Sequence, residues 1–321
     1  MISLQTLRDA HDRIRPYIHR TPCLTNQTID QMAGATLVFK CENFQKIGAF
    51  KARGGLNAAL QLTEDERING VTTHSSGNHA QALAYAARQL KMPAYIVMPR
   101  TAPQVKKDAV RGYGAEVIEC EPTLPAREAG VIEVIERTQA TLIHPFDDDR
   151  VIAGQGTAAI ELMEDNPTGQ PFDVILAPVG GGGLLSGTAL AVHYISAAAG
   201  QPQTRVIAGE PEGAADAVLS FKSGRVEQAP YISTIADGLL TSLSERTLAI
   251  IRQHVSDIRL VNDTEIRAAQ RLIWERMKII IEPSCAVPLA VVLKYKNDFA
   301  GQTIGIILTG GNVDLGRYFD V

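Results

Sequence analysis

Short apolar runs alternate with longer amphipathic ones along almost the whole chain, and this rhythm restricts the fold more than any other feature of the sequence. The short runs read as strands at Thr36–Cys41, Val71–His74, Ala94–Met98, Ala115–Glu119, Val174–Pro178, Arg205–Gly209, Asp257–Val261 and Thr303–Leu308. Helical spacing marks Gln81–Leu90, Pro103–Arg111, Glu128–Arg137, Thr157–Met163 and Asp263–Lys278. In the last of these Asp263 stands where a capping residue belongs, and Ile266, Ala269, Leu272, Ile273 and Trp274 follow on one face. Repeated β/α alternation implies mostly parallel strands covered by helices on both faces, an α/β fold. Ligands in such sheets sit beyond the carboxyl ends of strands, so the residues that follow each strand come first.

Composition excludes several classes. The 321 residues are 45% hydrophobic and 21% charged, which suits a folded chain with a sizeable core and not a disordered one. A net charge of −4 with no basic block argues against nucleic acid as a partner. No apolar stretch is long enough to span a bilayer, and the opening MISLQTLRDAHDRIR is polar, helical in pattern and unlike a secretory signal. The 4 cysteines, Cys23, Cys41, Cys120 and Cys285, form no C-x-x-C pair, so neither a disulfide framework nor a cysteine zinc site is expected, and a cytoplasmic protein is.

Four segments stand out. In ENFQKIGAFKARGG, Lys51 follows Phe50 at the start of a helical run, among glycines that let a backbone approach a ligand; alone, such a lysine reads as a solvated surface residue. In THSSGNHAQALAYAA a strand runs into Ser75, Ser76, Gly77, Asn78 and His79 and then a helix. One cap needs only one polar side chain, so five small or polar residues in a row point to an anion at the helix start. In VILAPVGGGGLLSG a strand leads into Gly180, Gly181, Gly182 and Gly183. Four glycines are expensive in conformational entropy, and a backbone wrapped around a phosphate explains them better than a plain turn. The spacing does not match a nucleoside-triphosphate loop. In IGIILTGGNVDL, Thr309 ends an apolar strand; alone it reads as a residue starting a turn.

Taken in this order, the four segments resemble the fold type II pyridoxal-phosphate (PLP) enzymes, the tryptophan-synthase-β family. The resemblance is to its serine/threonine dehydratase and serine racemase branch, 3-hydroxyaspartate ammonia-lyases included, and runs from RTPCLTNQTID to TGGNVDL. SSGNHAQ differs from the T-S-G-N-T-G of cysteine synthases, and KIGAFKARGG departs from the commoner pattern at Ile47 and Gly55. The resemblance implies two doubly wound, mostly parallel-sheet domains, the smaller (70–147) inserted into the larger (1–69 and 148–321) and mobile. It implies Lys51 as the Schiff-base lysine, Phe50 beside the cofactor ring and Asn78 on its phenolic oxygen. Gly180 to Gly183 would hold its phosphate, and Thr309 would bind its ring nitrogen and leave it mostly unprotonated. Ser75, Ser76 and His79 would grip the substrate carboxylate, with Ser76 also the proton carrier opposite Lys51. Arg127 would approach the substrate, although a surface arginine is an equal reading.

Further expectations follow from the same likeness. Glu210, the Ala214 carbonyl and Asp216 would hold Mg²⁺, Ca²⁺ or Mn²⁺, against the plainer reading of two solvated carboxylates near a helix start. Lys106 and Tyr113 match positions lining a nucleotide effector site, where ordinary packing is the stronger reading. Trp274 and Met277 read as core or subunit interface, Glu282 as an acid near the cofactor without a derived role, and the assembly as a homodimer. The chain stops soon after TGGNVDL, so a threonine-deaminase-type regulatory domain is not expected. The implied reaction is β-elimination from L-serine or L-threonine to a 2-oxo acid and ammonia, with serine racemisation as a companion activity. A 3-hydroxyaspartate ammonia-lyase, with Arg127 or His144 on a second carboxylate, stays open. So does an NAD-dependent oxidoreductase with Glu210 on a ribose, which leaves Lys51, SSGNH and Thr309 without roles.

Overall fold

Strand formation follows the apolar runs closely. The structure, a computed structural model, describes residues 2–75, 77–102, 104–200 and 203–318. Among them the strands in chain order are β1 (Cys23–Leu24), β2 (Thr36–Cys41), β3 (Val71–His74), β4 (Ala94–Pro99), β5 (Glu116–Cys120), β6 (Thr141–Leu142), β7 (Val174–Pro178), β8 (Arg205–Pro211), β9 (Asp257–Val261) and β10 (Thr303–Leu308). All eight expected strands are present, with ends moved by at most two residues. The unforeseen β1 and β6 are two residues each, too short to show a period.

β1, β2, β10, β7, β8 and β9 lie side by side in that order as a six-stranded sheet, with β1 antiparallel to β2 and the other neighbours parallel. A second, four-stranded sheet has the order β5, β4, β3, β6 and is parallel throughout. β7 is buried at every position, and β2 and β10 at all but their first. Continuous burial, without the in–out alternation of a one-faced sheet, is what helices on both faces produce. The chain is thus of the expected α/β class, with two mostly parallel sheets.

The chain divides into two compact units. One comprises Met1–His19 and Lys51–Gln155 and contains the four-stranded sheet; the other comprises Arg20–Phe50 and Gly156–Val321 and contains the six-stranded sheet. The segment 70–147 lies wholly inside the first unit, which also includes the helix Lys51–Ala59. In the second unit the core gathers Leu37, Phe39, Leu176, Ile304 and Ile306 around the helix Pro283–Lys294, which is buried from Pro283 to Val292. A helix apolar on all sides belongs inside. The same unit buries an ion pair, Lys40 to Glu161 at 2.7 Å, and the Lys40 ammonium also donates to the Thr21 carbonyl at 2.6 Å, so the charge is both paired and hydrogen-bonded.

Helix ends differ from the sequence reading in instructive ways. The helix expected at Asp263–Lys278 is Asp263–Met277, and Asn262 rather than Asp263 caps it: the Asn262 side chain accepts the Glu265 N–H at 3.0 Å, while Glu265 accepts the Asn262 N–H at 2.8 Å. Asp263 instead accepts from the Thr234 hydroxyl (2.6 Å) and the Ile235 N–H (3.1 Å). The other expected helices are Asn78–Leu90, Gln104–Gly112, Leu124–Thr138 and Asp149–Glu164; Pro103 lies outside the described residues. None of the helices among the described residues is long and apolar enough to cross a membrane.

Candidate active site

In the second unit, β7 delivers the chain into the glycine loop, and the 16-residue helix Gly183–Ala198 begins immediately. Gly182 precedes it at φ 87°, a left-handed conformation that glycine adopts without penalty, and it offers no side chain to cap the helix. A Cβ there would stand 2.8 Å from atoms of both Leu243 and Thr247. The sequence thus leaves backbone N–H groups and a helix dipole, with no side chain competing for an anion. A phosphate fits this loop.

At the end of β10, Thr309 is buried, and its carbonyl accepts the Phe50 N–H at 3.0 Å. Ala49 and Gly310 form an antiparallel bridge beside it, so Phe50 and Thr309 are held together by the backbone. Glu282, whose role the sequence left open, is buried against the same turn: its N–H donates to the Gly310 carbonyl at 3.0 Å. Cys285 is a neighbour that the sequence did not single out. Burial pushes its thiol up to about 12, while the Gly310 backbone and the Thr309 hydroxyl pull the other way. Ile47 has φ 60°, a left-handed conformation rare for a β-branched residue, and its carbonyl accepts from the Asn312 side chain at 2.8 Å.

The first unit carries Lys51. Its amine donates to the Pro145 carbonyl at 2.8 Å, and burial lowers its pKa to about 8. An amine tuned this way is a nucleophile and base near neutral pH, which suits a carbonyl cofactor. The segment 143–147 is fixed from three sides. His79 is buried with Nε2 3.1 Å from the Ile143 carbonyl. Lys51 holds Pro145, and His144 Nδ1 accepts the N–H groups of Phe146 (3.4 Å) and Asp147 (2.9 Å). Burial lowers His79 to about 3 and His144 to about 4, so both are neutral at physiological pH. Because His144 Nδ1 accepts, its Nε2 carries the proton. The imidazole of His79 therefore anchors the loop, a structural task not foreseen beside its expected substrate contact.

Ser75 is half-buried and accepts the Gly77 N–H at 3.3 Å, and Asn78 opens its 13-residue helix without a side-chain cap from Gly77. Ser76 lies outside the described residues. Arg127 sits in the first turns of Leu124–Thr138; its Nε is buried and has no hydrogen-bond partner among the described residues. Burial lowers the His74 pKa; Glu128 opposes this, and Arg127 adds a smaller lowering. His74 and His144 stand 6.3 Å apart, edge to face.

Glu210, at the end of β8, is buried and accepts the N–H groups of Ala217 (2.6 Å) and Val218 (2.9 Å). Each oxygen thereby accepts one backbone N–H and keeps a lone pair for a further ligand. Burial pushes Glu210 up to about 8 and the buried Asp216 up to about 6, and Asp216 adds to the rise at Glu210. Asp216 Oδ2 has no partner among the described residues. Two buried acids, one with an orphan oxygen, fit a hard cation. Tyr113 packs edge-on against Tyr85 at 5.8 Å, and Trp274 donates to the Ile281 carbonyl at 3.1 Å beside the main core.

An uncapped glycine loop at a helix start suits a phosphate, and a desolvated lysine suits an aldehyde, the two groups of a phosphorylated aldehyde cofactor. The chain belongs to the pyridoxal-phosphate dependent enzyme family, whose profile matches residues 14–310. It is 49% identical over 308 residues to the beta-hydroxyaspartate dehydratase of Paracoccus denitrificans (strain Pd 1222), across 96% of this chain and 95% of that one. It is also 49% identical over 318 residues to the serine racemase of Dictyostelium discoideum, across 98% and 96% of the two chains. The crystal structure of that racemase superposes with a TM-score of 0.90, covering 98% of this chain and 99% of the other. The crystal structure of a threonine deaminase from T.th., 45% identical, gives 0.91 over 98% and 99%.

Proposed function

We propose that this chain is a PLP-dependent ammonia-lyase that eliminates water from a β-hydroxy-α-amino acid, L-serine or L-threonine, and releases the 2-oxo acid and ammonia. The observation that carries the reading is Lys51: an amine whose pKa burial lowers to about 8, held at its tip by the Pro145 carbonyl. Bound PLP supplies an electron sink for the charge left at Cα. Lys51 removes the Cα proton, and the Gly180–Gly183 amides hold the phosphate. Phe50 lies along the ring, Asn78 takes the phenolic oxygen and Thr309 the ring nitrogen. Ser75, Ser76 and His79 hold the substrate carboxylate in the segment 70–147, proposed as the substrate domain. Glu210, Ala214 and Asp216 hold Mg²⁺ or Ca²⁺; the orphan Asp216 oxygen supports that assignment. We place the enzyme in the cytoplasm as a homodimer. A nucleotide effector at Lys106 and Tyr113 rests on the sequence likeness alone.

A second reading, a 3-hydroxyaspartate ammonia-lyase, gains support from the unpartnered Arg127 Nε and the Nε2–H of His144, both suited to a second carboxylate. A substrate panel of L-serine, L-threonine and L-threo-3-hydroxyaspartate, scored by 2-oxo acid release with and without Mg²⁺, decides between them. Preference for the dicarboxylate that vanishes in Arg127→Ala selects the second reading; release from none of the three overturns both. Racemisation is assigned to Ser76, on the sequence likeness alone, as the second proton carrier beside Lys51. Ser76→Ala is expected to lose activity on D-serine and L-to-D conversion, while elimination from L-substrates survives weakened. Chiral separation of serine is the measurement, and undiminished racemisation places the second proton carrier elsewhere.

A further inference from the structure

The helix Glu245–His254 runs behind the glycine loop in the second unit, and its first turn carries Thr247, a fully buried residue. The Thr247 hydroxyl lies 3.0 Å from the Gly181 carbonyl and 3.2 Å from the Ser244 carbonyl, and it accepts the Ser244 N–H at 3.0 Å. At the N3 position of a capping box a glutamate or glutamine is usual. Threonine closes the box here and has a proton left to give to the shorter contact, Gly181. Thr247 also packs directly on the loop, since a Cβ on Gly182 would lie 2.8 Å from its own Cβ.

The consequence lies in the geometry of one peptide unit. A trans peptide is planar, with its C=O and N–H pointing in opposite directions. The Gly181 carbonyl and the Gly182 N–H belong to the same unit. When Thr247 holds that carbonyl toward the helix, the Gly182 N–H must face the other way, and it has no partner among the described residues. Two glycines in sequence have wide conformational freedom, and without the anchor this plane could turn over. We infer that Thr247 is a positioning residue for the cofactor phosphate: it touches no part of the cofactor, but fixes the Gly181–Gly182 peptide so that its N–H is presented as an anion donor.

This rests on the assignment of the loop to the PLP phosphate, and the experiment separates the two. Apoenzyme is titrated with PLP by visible absorption, and in parallel with pyridoxal, which lacks the phosphate. Thr247→Val keeps the shape and removes the hydroxyl; it is expected to weaken PLP binding roughly tenfold, the value of about one hydrogen bond to a charged group. Thr247→Ser keeps the hydroxyl and is expected to bind PLP like the wild type. Pyridoxal is expected to bind all three alike. Thr247→Ala gives the same comparison if the valine variant does not fold. Unchanged PLP affinity in the valine or alanine variant overturns the inference, as does equal weakening of PLP and pyridoxal, or failure of serine to rescue. A wild-type protein that binds neither compound removes the loop assignment and the inference together.

Discussion

Lys51 in water would be a cation at any physiological pH, and burial alone converts it into a group poised near 8. Since only the neutral amine attacks a carbonyl, the rate at which apoenzyme captures PLP is expected to rise as pH passes from 7 to 9, with its midpoint near 8. Stopped-flow growth of the visible band measures this. Lys51→Ala is expected to lose that band together with elimination and racemisation, and steady turnover in the variant would reject the assignment. A few residues upstream, Ile47 holds φ 60° at a cost of about 1–2 kcal/mol for a side chain with a Cβ. Replacement by glycine or asparagine is expected to stabilise the protein by about 1 kcal/mol, readable in urea unfolding, because its carbonyl keeps the bond to Asn312. A loss of stability would mean that the isoleucine packing outweighs the backbone term.

At the scale of elements, the segment 143–147 shows what a sequence can and cannot disclose. Strand positions were legible because burial on both faces leaves an unbroken apolar run, and the glycine and SSGNH loops because small polar residues at helix starts have few other uses. The carbonyls of Ile143 and Pro145, which hold His79 and Lys51, were not legible, because every residue type carries the same carbonyl. Asn262 and Asp263 cap equally well on chemistry, and only the backbone angles decide between them. His79 leads to an expectation on pH. Its folded pKa, about 3, lies below the ordinary 6.5, so the unfolded chain binds the extra proton between those values. Its contribution to stability is complete above about pH 6.5 and is lost as pH falls toward 3. In His79→Gln, which keeps an N–H for the Ile143 carbonyl, melting temperature is expected to fall less steeply from pH 6.5 to 4 than in the wild type. Parallel slopes would place the acid sensitivity elsewhere.

For the molecule as a whole, a ligand bound only by the folded chain shifts the entire unfolding equilibrium. If Mg²⁺ sits with Glu210 and Asp216, a hundredfold excess over its dissociation constant adds about 2–3 kcal/mol, several degrees in a chain of this size. EDTA is expected to lower the melting temperature, Mg²⁺ to restore it, and Asp216→Ala to abolish the difference; identical melting of chelated and Mg²⁺-loaded wild type would remove the cation from the account.

The order of the six-stranded sheet also has a bearing on how the chain emerges from the ribosome. β10, the most C-terminal strand among the described residues, lies between β2 and β7, and Thr36 pairs with Thr303. Until residues 303–308 leave the exit tunnel, the larger sheet is two fragments with apolar, unpaired edges facing a gap. The four-stranded sheet, drawn from Val71 to Leu142, has no such wait. Between the emergence of Leu142 and that of Leu308 a nascent chain therefore has one sheet able to close and the other open, and the open edges are where chaperone binding or premature aggregation would begin.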